Sequence, residues 1–252
     1  MHRLKSASHV IVSLAGLLCL QEAGGAELLV NGNLETFTNG LPNSWTYVQG
    51  DGFATVERQS PGNPFTNVYA TSAAFIGIVD GFSTGPTPRL FQSFTPQTGI
   101  LVISVEFQPR QSVGDPMQFA PLSSDGNPLA LLRFPSQSNT AINLVDSSGS
   151  RSFTTLNAQA GRWFQATMTV DLNSGTYSGS IQQDGGPSES WSNRSLFPGS
   201  NVASISIADS GTSATDSSLV YFDNISVRTV PEPSAVGLLP GLGLPMLVRR
   251  RR

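Results

Sequence analysis

The chain has 252 residues, a formal net charge of −3 and only 12% charged residues. Residues 27–230 carry 8 arginines against 15 Asp and Glu, a net charge of −7 that argues against a nucleic-acid partner. The same stretch has no His, Cys or Lys, which excludes disulfides, Cys-His and Ser-His-Asp catalysis, Schiff bases and metal sites built on imidazole or thiolate.

The first segment, residues 1–26, has the three parts of a secretory signal peptide. Arg3 and Lys5 supply positive charge, an apolar run follows over 10–20, and small residues close the segment over 23–26. The sequence therefore predicts export by the secretion machinery and cleavage after Ala26. It leaves a body of residues 27–230, a length that suits one β-sandwich domain.

The body opens with an asparagine-glycine pair, Asn31-Gly32, followed by Leu34-Glu35 and then by Trp45. This order resembles the opening of carbohydrate-binding-module-like jelly rolls. The resemblance implies that a structural Ca²⁺ joins the first segment to the last strand, with Glu35 and Asp223 as the matching ligands. Calcium binds oxygen ligands, which this chain offers, and no other cofactor is expected.

Period-2 alternation of apolar residues dominates the body, and no stretch has a clear helical period. A tight turn over 173–175 joins two of the predicted strands into a hairpin, and 146–149 has the composition of a second such turn. The alternation predicts strands over 73–79, 89–94, 100–107, 129–134, 141–145, 152–156, 163–172, 176–182, 203–208 and 219–229.

Two further motifs refine the fold prediction. Arg162-Trp163-Phe164 and the hairpin after it resemble the tryptophan-bearing hairpin of laminin-G or concanavalin-like sandwiches, and the 221–227 segment resembles the closing strand of both groups. Trp45 and Trp163 are expected in the core. The predicted fold is all-β, a two-sheet antiparallel jelly-roll or concanavalin-like sandwich.

Asp223 stands out in the last predicted strand because alternation places it on the apolar face with Tyr221, Ile225 and Val227. A carboxylate facing a core is costly unless it has a partner. A bulge that turns it outward, an arginine, a bound metal or bonds to neighbouring backbone would each resolve the conflict.

Few residues are candidates for sugar chemistry. Trp191 lies in a polar stretch that predicts an exposed loop, where it could bind a sugar ring or instead close the core. Hydrolysis of a glycan needs two carboxylates about 5–10 Å apart. Glu57, Asp80 and Glu106 are available, but the sequence does not pair them. No enzymatic activity and no catalytic residue are therefore predicted.

The last 22 residues, 231–252, combine Pro231-Glu232-Pro233, an apolar stretch over 235–248 and the terminal Arg249, Arg250, Arg251 and Arg252. This order resembles the PEP-CTERM sorting signal of Gram-negative bacteria. The resemblance implies membrane contact through the tail, then cleavage by an exosortase-type membrane protease. The arginines favour the cytoplasmic side, with the body outside.

These features predict an exported, non-enzymatic component of the cell surface or of an extracellular polysaccharide matrix. The alternatives are a specific carbohydrate-binding protein and, less favoured by the residues present, a secreted glycan hydrolase.

Overall fold

The computed structural model describes residues 25–48, 89–109, 117–134, 141–157, 161–209 and 217–231, together with the backbone of 53–59 and 73–79. Within these ranges the chain forms sixteen strands and no helix, which confirms the all-β prediction. These ranges accordingly hold no apolar helix long enough to cross a membrane. The leader up to residue 24 and the sorting residues Glu232, Pro233 and Arg249 to Arg252 lie outside the described residues.

The strands are β1 (Phe37–Thr38), β2 (Leu41–Pro42), β3 (Thr46–Val48), β4 (Phe53–Gln59), β5 (Ala73–Val79), β6 (Arg89–Gln97), β7 (Ile100–Pro109), β8 (Met117–Leu122), β9 (Leu131–Arg133), β10 (Ala141–Asp146), β11 (Gly149–Asn157), β12 (Phe164–Asp171), β13 (Thr176–Gln183), β14 (Ser188–Ser195), β15 (Val202–Asp209) and β16 (Ser217–Thr229).

Fourteen of these strands form two antiparallel sheets of seven. Sheet 1 has the order β11-β10-β9-β8-β15-β6-β3, and sheet 2 has the order β14-β13-β12-β7-β16-β5-β4. The remaining strands, β1 and β2, pair with each other. The predicted two-sheet antiparallel sandwich is therefore the observed architecture.

All ten predicted strands are present, but alternation did not reveal every strand. The 117–122 segment was missed because five of its six residues in β8 are buried, so its two faces do not differ in polarity. The 188–195 segment was missed because Trp191 is the only apolar residue in β14.

The core lies between the sheets and is rich in aromatic rings. The Phe107 ring stacks on Phe164 with centroids 5.3 Å apart and lies 4.3 Å from Phe134, which in turn meets Phe222 at 5.5 Å. Trp45 and Trp163 are buried, as predicted. Since β7 and β12 send alternate residues into this core, their other residues form the outer face of sheet 2.

Candidate functional site

A β-bulge in the closing strand decides where Asp223 points. The pairing of β16 with β7 shifts register between Asp223 and Ser226, and Asn224 within the bulge has a φ of 44°. Asparagine tolerates this left-handed conformation better than most residues. Phe222 therefore faces the core before the bulge, and Ile225 and Val227 face it after the bulge.

The expectation that Asp223 shares the apolar face with Ile225 and Val227 is wrong, because the bulge breaks simple alternation. Asp223 lies directly opposite Glu106 on β7, on the outer face of sheet 2. Its side chain accepts a hydrogen bond from the Asn224 backbone N–H at 2.8 Å. Of the resolutions considered from the sequence, a bulge and a local backbone bond are both present.

The asparagine-glycine loop at the start of the body packs on this bulge. Gly32 O accepts the Ile225 N–H at 2.8 Å. A Cβ atom on Gly32 would lie 2.0 Å from the Ile225 carbonyl oxygen, so only glycine permits this approach. Asn31 organises the loop, because its Oδ1 accepts the backbone N–H groups of Glu35 and Thr36 at 3.1 Å each.

The loop and the outer face of sheet 2 enclose an open groove of about 590 Å³. Its floor consists of two rows of polar residues across three strands. One row runs through Gln165 and Glu106, with Asn224 beside them, and the next runs through Thr167, Ser104 and Ser226. Amides, hydroxyls and carboxylates are the groups that bind sugar hydroxyls, so the groove is the candidate site.

Two amides hold the Glu106 carboxylate at the centre of the floor. Its Oε1 accepts Gln165 Nε2 at 2.9 Å, and its Oε2 accepts Asn224 Nδ2 at 2.8 Å. Glu106 is 5% exposed and Asp223 is 1% exposed. The pair is therefore buried beneath the surface of the groove, and these hydrogen bonds fix the orientation of Glu106.

Glu27 also lines the groove, and it joins the first residues of the body to its last strand. Its Oε1 accepts the backbone N–H groups of Leu29 at 3.1 Å and Val227 at 2.9 Å. Its Oε2 accepts the Ser226 hydroxyl and Arg228 Nε, the latter at 3.2 Å. The first residue after the predicted leader thus pairs with the strand that ends two residues before Pro231.

Trp191 is not an exposed loop residue, and this expectation is corrected by its place in β14. It is 4% exposed and lies opposite Gly179, where a Cβ atom would come within 2.5 Å of the indole. Its ring contacts Phe153 at 5.6 Å and Tyr177 at 6.2 Å. The indole therefore closes the core, which was the second interpretation of this residue, and it offers no open face to a sugar.

The carboxylates considered for chemistry fall in different places. Glu57 lies on β4, whose backbone alone is described, and Asp80 lies outside the described residues. The pairing of Glu106 with Asp223 was missed because 117 residues separate them in the chain. No local pattern signals such a pair.

The calcium prediction stays untested. Glu35 belongs to the loop ordered by Asn31, and Asp223 lies on β16. The described residues contain no cluster of three or more His, Cys, Asp or Glu side chains that could hold a metal ion. A Ca²⁺ bound by Glu35 and Asp223 would need carbonyl or amide oxygens to complete its ligands, as calcium sites often do.

No protein-family model matches this chain, and no curated protein sequence matches it. Among solved structures it is similar to a β-glucanase catalytic domain of glycoside hydrolase family 131 from Podospora anserina, with a TM-score of 0.52 and 11% identity. That match covers 80% of this chain and 91% of the other. The family 131 catalytic domain from Coprinopsis cinerea gives a TM-score of 0.51 at 14% identity, over 75% and 84% of the two chains.

A seed lectin from Lotus tetragonolobus is also similar, with a TM-score of 0.46 and 12% identity over 83% of this chain and all of the lectin. A match to a sialidase, with a TM-score of 0.49 and 8% identity, covers 70% of this chain and spans only 17% of that protein. Because the identities are only 11% and 14%, the similarity to the family 131 domains shows a shared two-sheet β-sandwich fold and nothing beyond the fold.

Proposed function

We propose that this chain is an exported, non-enzymatic protein of the cell surface or extracellular polysaccharide matrix, and that its sandwich binds polysaccharide in the groove of sheet 2. The observation that carries the proposal is the polar floor of that groove. Its side chains can donate to and accept from sugar hydroxyls along three adjacent strands.

Binding rather than hydrolysis is supported by the position of the acidic pair. A general acid must come within hydrogen-bond reach of the glycosidic oxygen. Glu106 and Asp223 are almost completely buried, and both oxygens of Glu106 already accept amide hydrogens. Without a rearrangement, neither carboxylate reaches a sugar chain that lies in the groove.

The second candidate is a secreted glycan hydrolase, and one observation favours it. Glu106 and Asp223 lie directly opposite each other on neighbouring strands, where Cβ atoms are about 4.5–5.5 Å apart. Two carboxylates on the outer face of such a sheet could serve as an acid and a nucleophile if the surrounding residues moved.

Binding and hydrolysis are separated by one set of assays on the secreted protein. Retention by immobilised polysaccharides would be measured together with the release of reducing ends. We expect retention without release, and Thr167→Ala with Ser104→Ala should weaken it because both side chains lie on the floor. Release that Glu106→Gln abolishes would establish the hydrolase, and no retention on any polysaccharide would contradict the binding role.

Export and processing are tested by mass spectrometry of the native protein. A start near Glu27 and an end close to Pro231 are expected. Replacing Arg249 to Arg252 with serine should reduce retention at the membrane, because the cytoplasmic charge is lost. Released protein that still carries Arg252 would contradict processing of the tail.

A further inference from the structure

The outer face of sheet 1 carries a row of polar residues on neighbouring strands. The residues of this row lie directly opposite one another on six neighbouring strands, from β11 to β6. In that order they are Ser152, Asn143, Arg133, Gln118, Ala208 and Arg89. Arg133 and Arg89 are three strand intervals apart, a separation of about 14 Å between their backbones. Two cations thus flank an amide and a small residue on one surface.

Neither arginine is neutralised by a described carboxylate. Arg151, Arg194 and Arg228 form salt bridges with acidic residues, whereas Arg133 and Arg89 form none within the described ranges. The Arg89 guanidinium instead lies 5.1 Å from the centroid of the Phe91 ring. Since residues 27–230 have a net charge of −7, two unneutralised cations in one row form a local positive feature on an acidic protein.

Arg133 and Gln118 also have unused hydrogen-bonding capacity. The Nε of Arg133 and the Oε1 of Gln118 are both buried, and neither has a hydrogen-bond partner. Leaving a buried polar atom without a hydrogen-bond partner destabilises the fold. The two open groups belong to residues that lie directly opposite each other, and a ligand that carries both an anionic oxygen and a hydroxyl would satisfy them once the two side chains turn toward it.

A depression of about 350 Å³ adjoins this row. Gln118 and Arg89 line it together with Ala120, Leu131, Ala208 and Ser206. The small and aliphatic residues give it an apolar floor, and no carboxylate is among its lining residues. A sugar ring has an apolar face and a rim of hydroxyls, which matches an apolar floor beside an amide and two arginines.

We propose that this face of sheet 1 binds an acidic polysaccharide. Arg133 and Arg89 contact carboxylates carried by the sugar chain, Gln118 accepts a sugar hydroxyl, and a ring rests over Ala120 and Ala208. Arginine forms charge-assisted hydrogen bonds with carboxylates, and its planar group can do so in a bidentate way. The site is separate from the groove of sheet 2, so it stands whether or not that groove binds a glycan.

The test measures binding of the full-length protein to soluble polygalacturonate, a polyuronate, with dextran as the neutral polymer and polyglutamate as a polyanion without sugar. We expect polygalacturonate to bind and its binding to weaken as salt rises, because the contacts are ionic, whereas polyglutamate should not bind. Any binding of dextran would belong to the groove of sheet 2 and should not respond to Arg133→Gln or Arg89→Gln. Arg133→Gln and Arg89→Gln should each lower the affinity at least about tenfold. Arg162→Gln removes the same charge from an exposed arginine outside the row and should change the affinity by less than about twofold.

Several outcomes would overturn the proposal. Equal binding of polyglutamate, an equal loss in Arg162→Gln, or no binding of polygalacturonate would each do so. Gln118→Leu separates recognition from a purely structural role for the pair. If Gln118→Leu and Arg133→Gln change the melting temperature while polygalacturonate binds as before, Arg133 and Gln118 serve only the fold. A loss of affinity in variants that melt like the parent supports recognition.

Discussion

Asp146 at the end of β10 and Arg194 on β14 belong to different sheets, and two hydrogen bonds join their side chains. Arg194 Nη2 donates to Asp146 Oδ1 at 2.9 Å, Arg194 Nε donates to Oδ2, and the Tyr177 hydroxyl donates to Oδ2 at 2.6 Å. The Asp146 side chain is fully buried. This ion pair therefore connects β10, which lies next to the edge strand of sheet 1, to β14, the edge strand of sheet 2.

Arg194→Ala should lower the free energy of unfolding by about 3–5 kcal/mol, because it leaves the buried Asp146 charge without its cation. Chemical denaturation measures the loss. Arg228→Ala is the matched control, since its side chain is 60% exposed and its pairing with Glu27 is worth about 1 kcal/mol or less. Equal losses in the two variants would show that the buried Asp146–Arg194 pair stabilises the fold no more than the exposed Glu27–Arg228 pair does.

The stability of the fold should depend on pH mainly in acid. Burial disfavours the Asp146 charge, but the hydrogen bonds from Arg194 and Tyr177 outweigh this and hold its pKa below the usual value. Burial also disfavours the Glu189 charge, but the hydrogen bonds from Thr155 outweigh burial and lower the pKa of Glu189. A carboxyl with a lowered folded pKa stabilises the fold above its unfolded pKa, about 4, and this contribution is lost as pH falls through the folded pKa.

Urea midpoints measured between about pH 8 and pH 2 check this dependence. The curve should be nearly flat from about pH 8 to pH 5.5, because residues 27–230 contain no histidine, and should fall below about pH 4. Asp146→Asn should make the acid decline shallower, since one linked carboxyl is gone. A midpoint that changes strongly near pH 6.5, or an unchanged acid slope in Asp146→Asn, would contradict this account.

Trp191→Ala should destabilise the protein by about 3–5 kcal/mol, because a buried indole is replaced by a cavity. Thermal and denaturant unfolding measure the effect. Val30→Ala is the control, since Val30 is 63% exposed and should contribute little. If Trp191→Ala left the stability unchanged and weakened sugar binding, the prediction that Trp191 is exposed and binds a sugar ring would be supported instead.

Calcium should raise the melting temperature of chelator-treated protein if Glu35 and Asp223 are ligands. Binding to the folded state alone stabilises by about 2.7 kcal/mol at a hundredfold excess over Kd, which corresponds to several degrees. Asp223→Asn should remove most of the gain. Asp171→Asn should keep it, since Asp171 lies in the 171–174 turn and bonds Asn173 and Ser174. A melting curve that changes with neither calcium nor chelator would contradict a metal site at Asp223.

The sequence alone predicted the sandwich because its signals are local. Alternation along 100–107 and 163–172 reports that one face of each strand is apolar, and the turns at 146–149 and 173–175 mark where strands reverse. The absence of His, Cys and Lys from residues 27–230 is likewise complete in the sequence. It limits the chemistry of the body whatever the fold.

Tertiary structure decided what no local pattern contains. One extra residue at Asn224 moved Asp223 to the other face, because a bulge reverses alternation beyond it. Glu106 meets Asp223 and Arg133 meets Gln118 only through strand pairing, and Trp191 is buried because Gly179 on the next strand leaves room for it. Regular alternation can be predicted from each strand's own sequence, whereas bulges and the neighbours across a sheet depend on how distant strands pair.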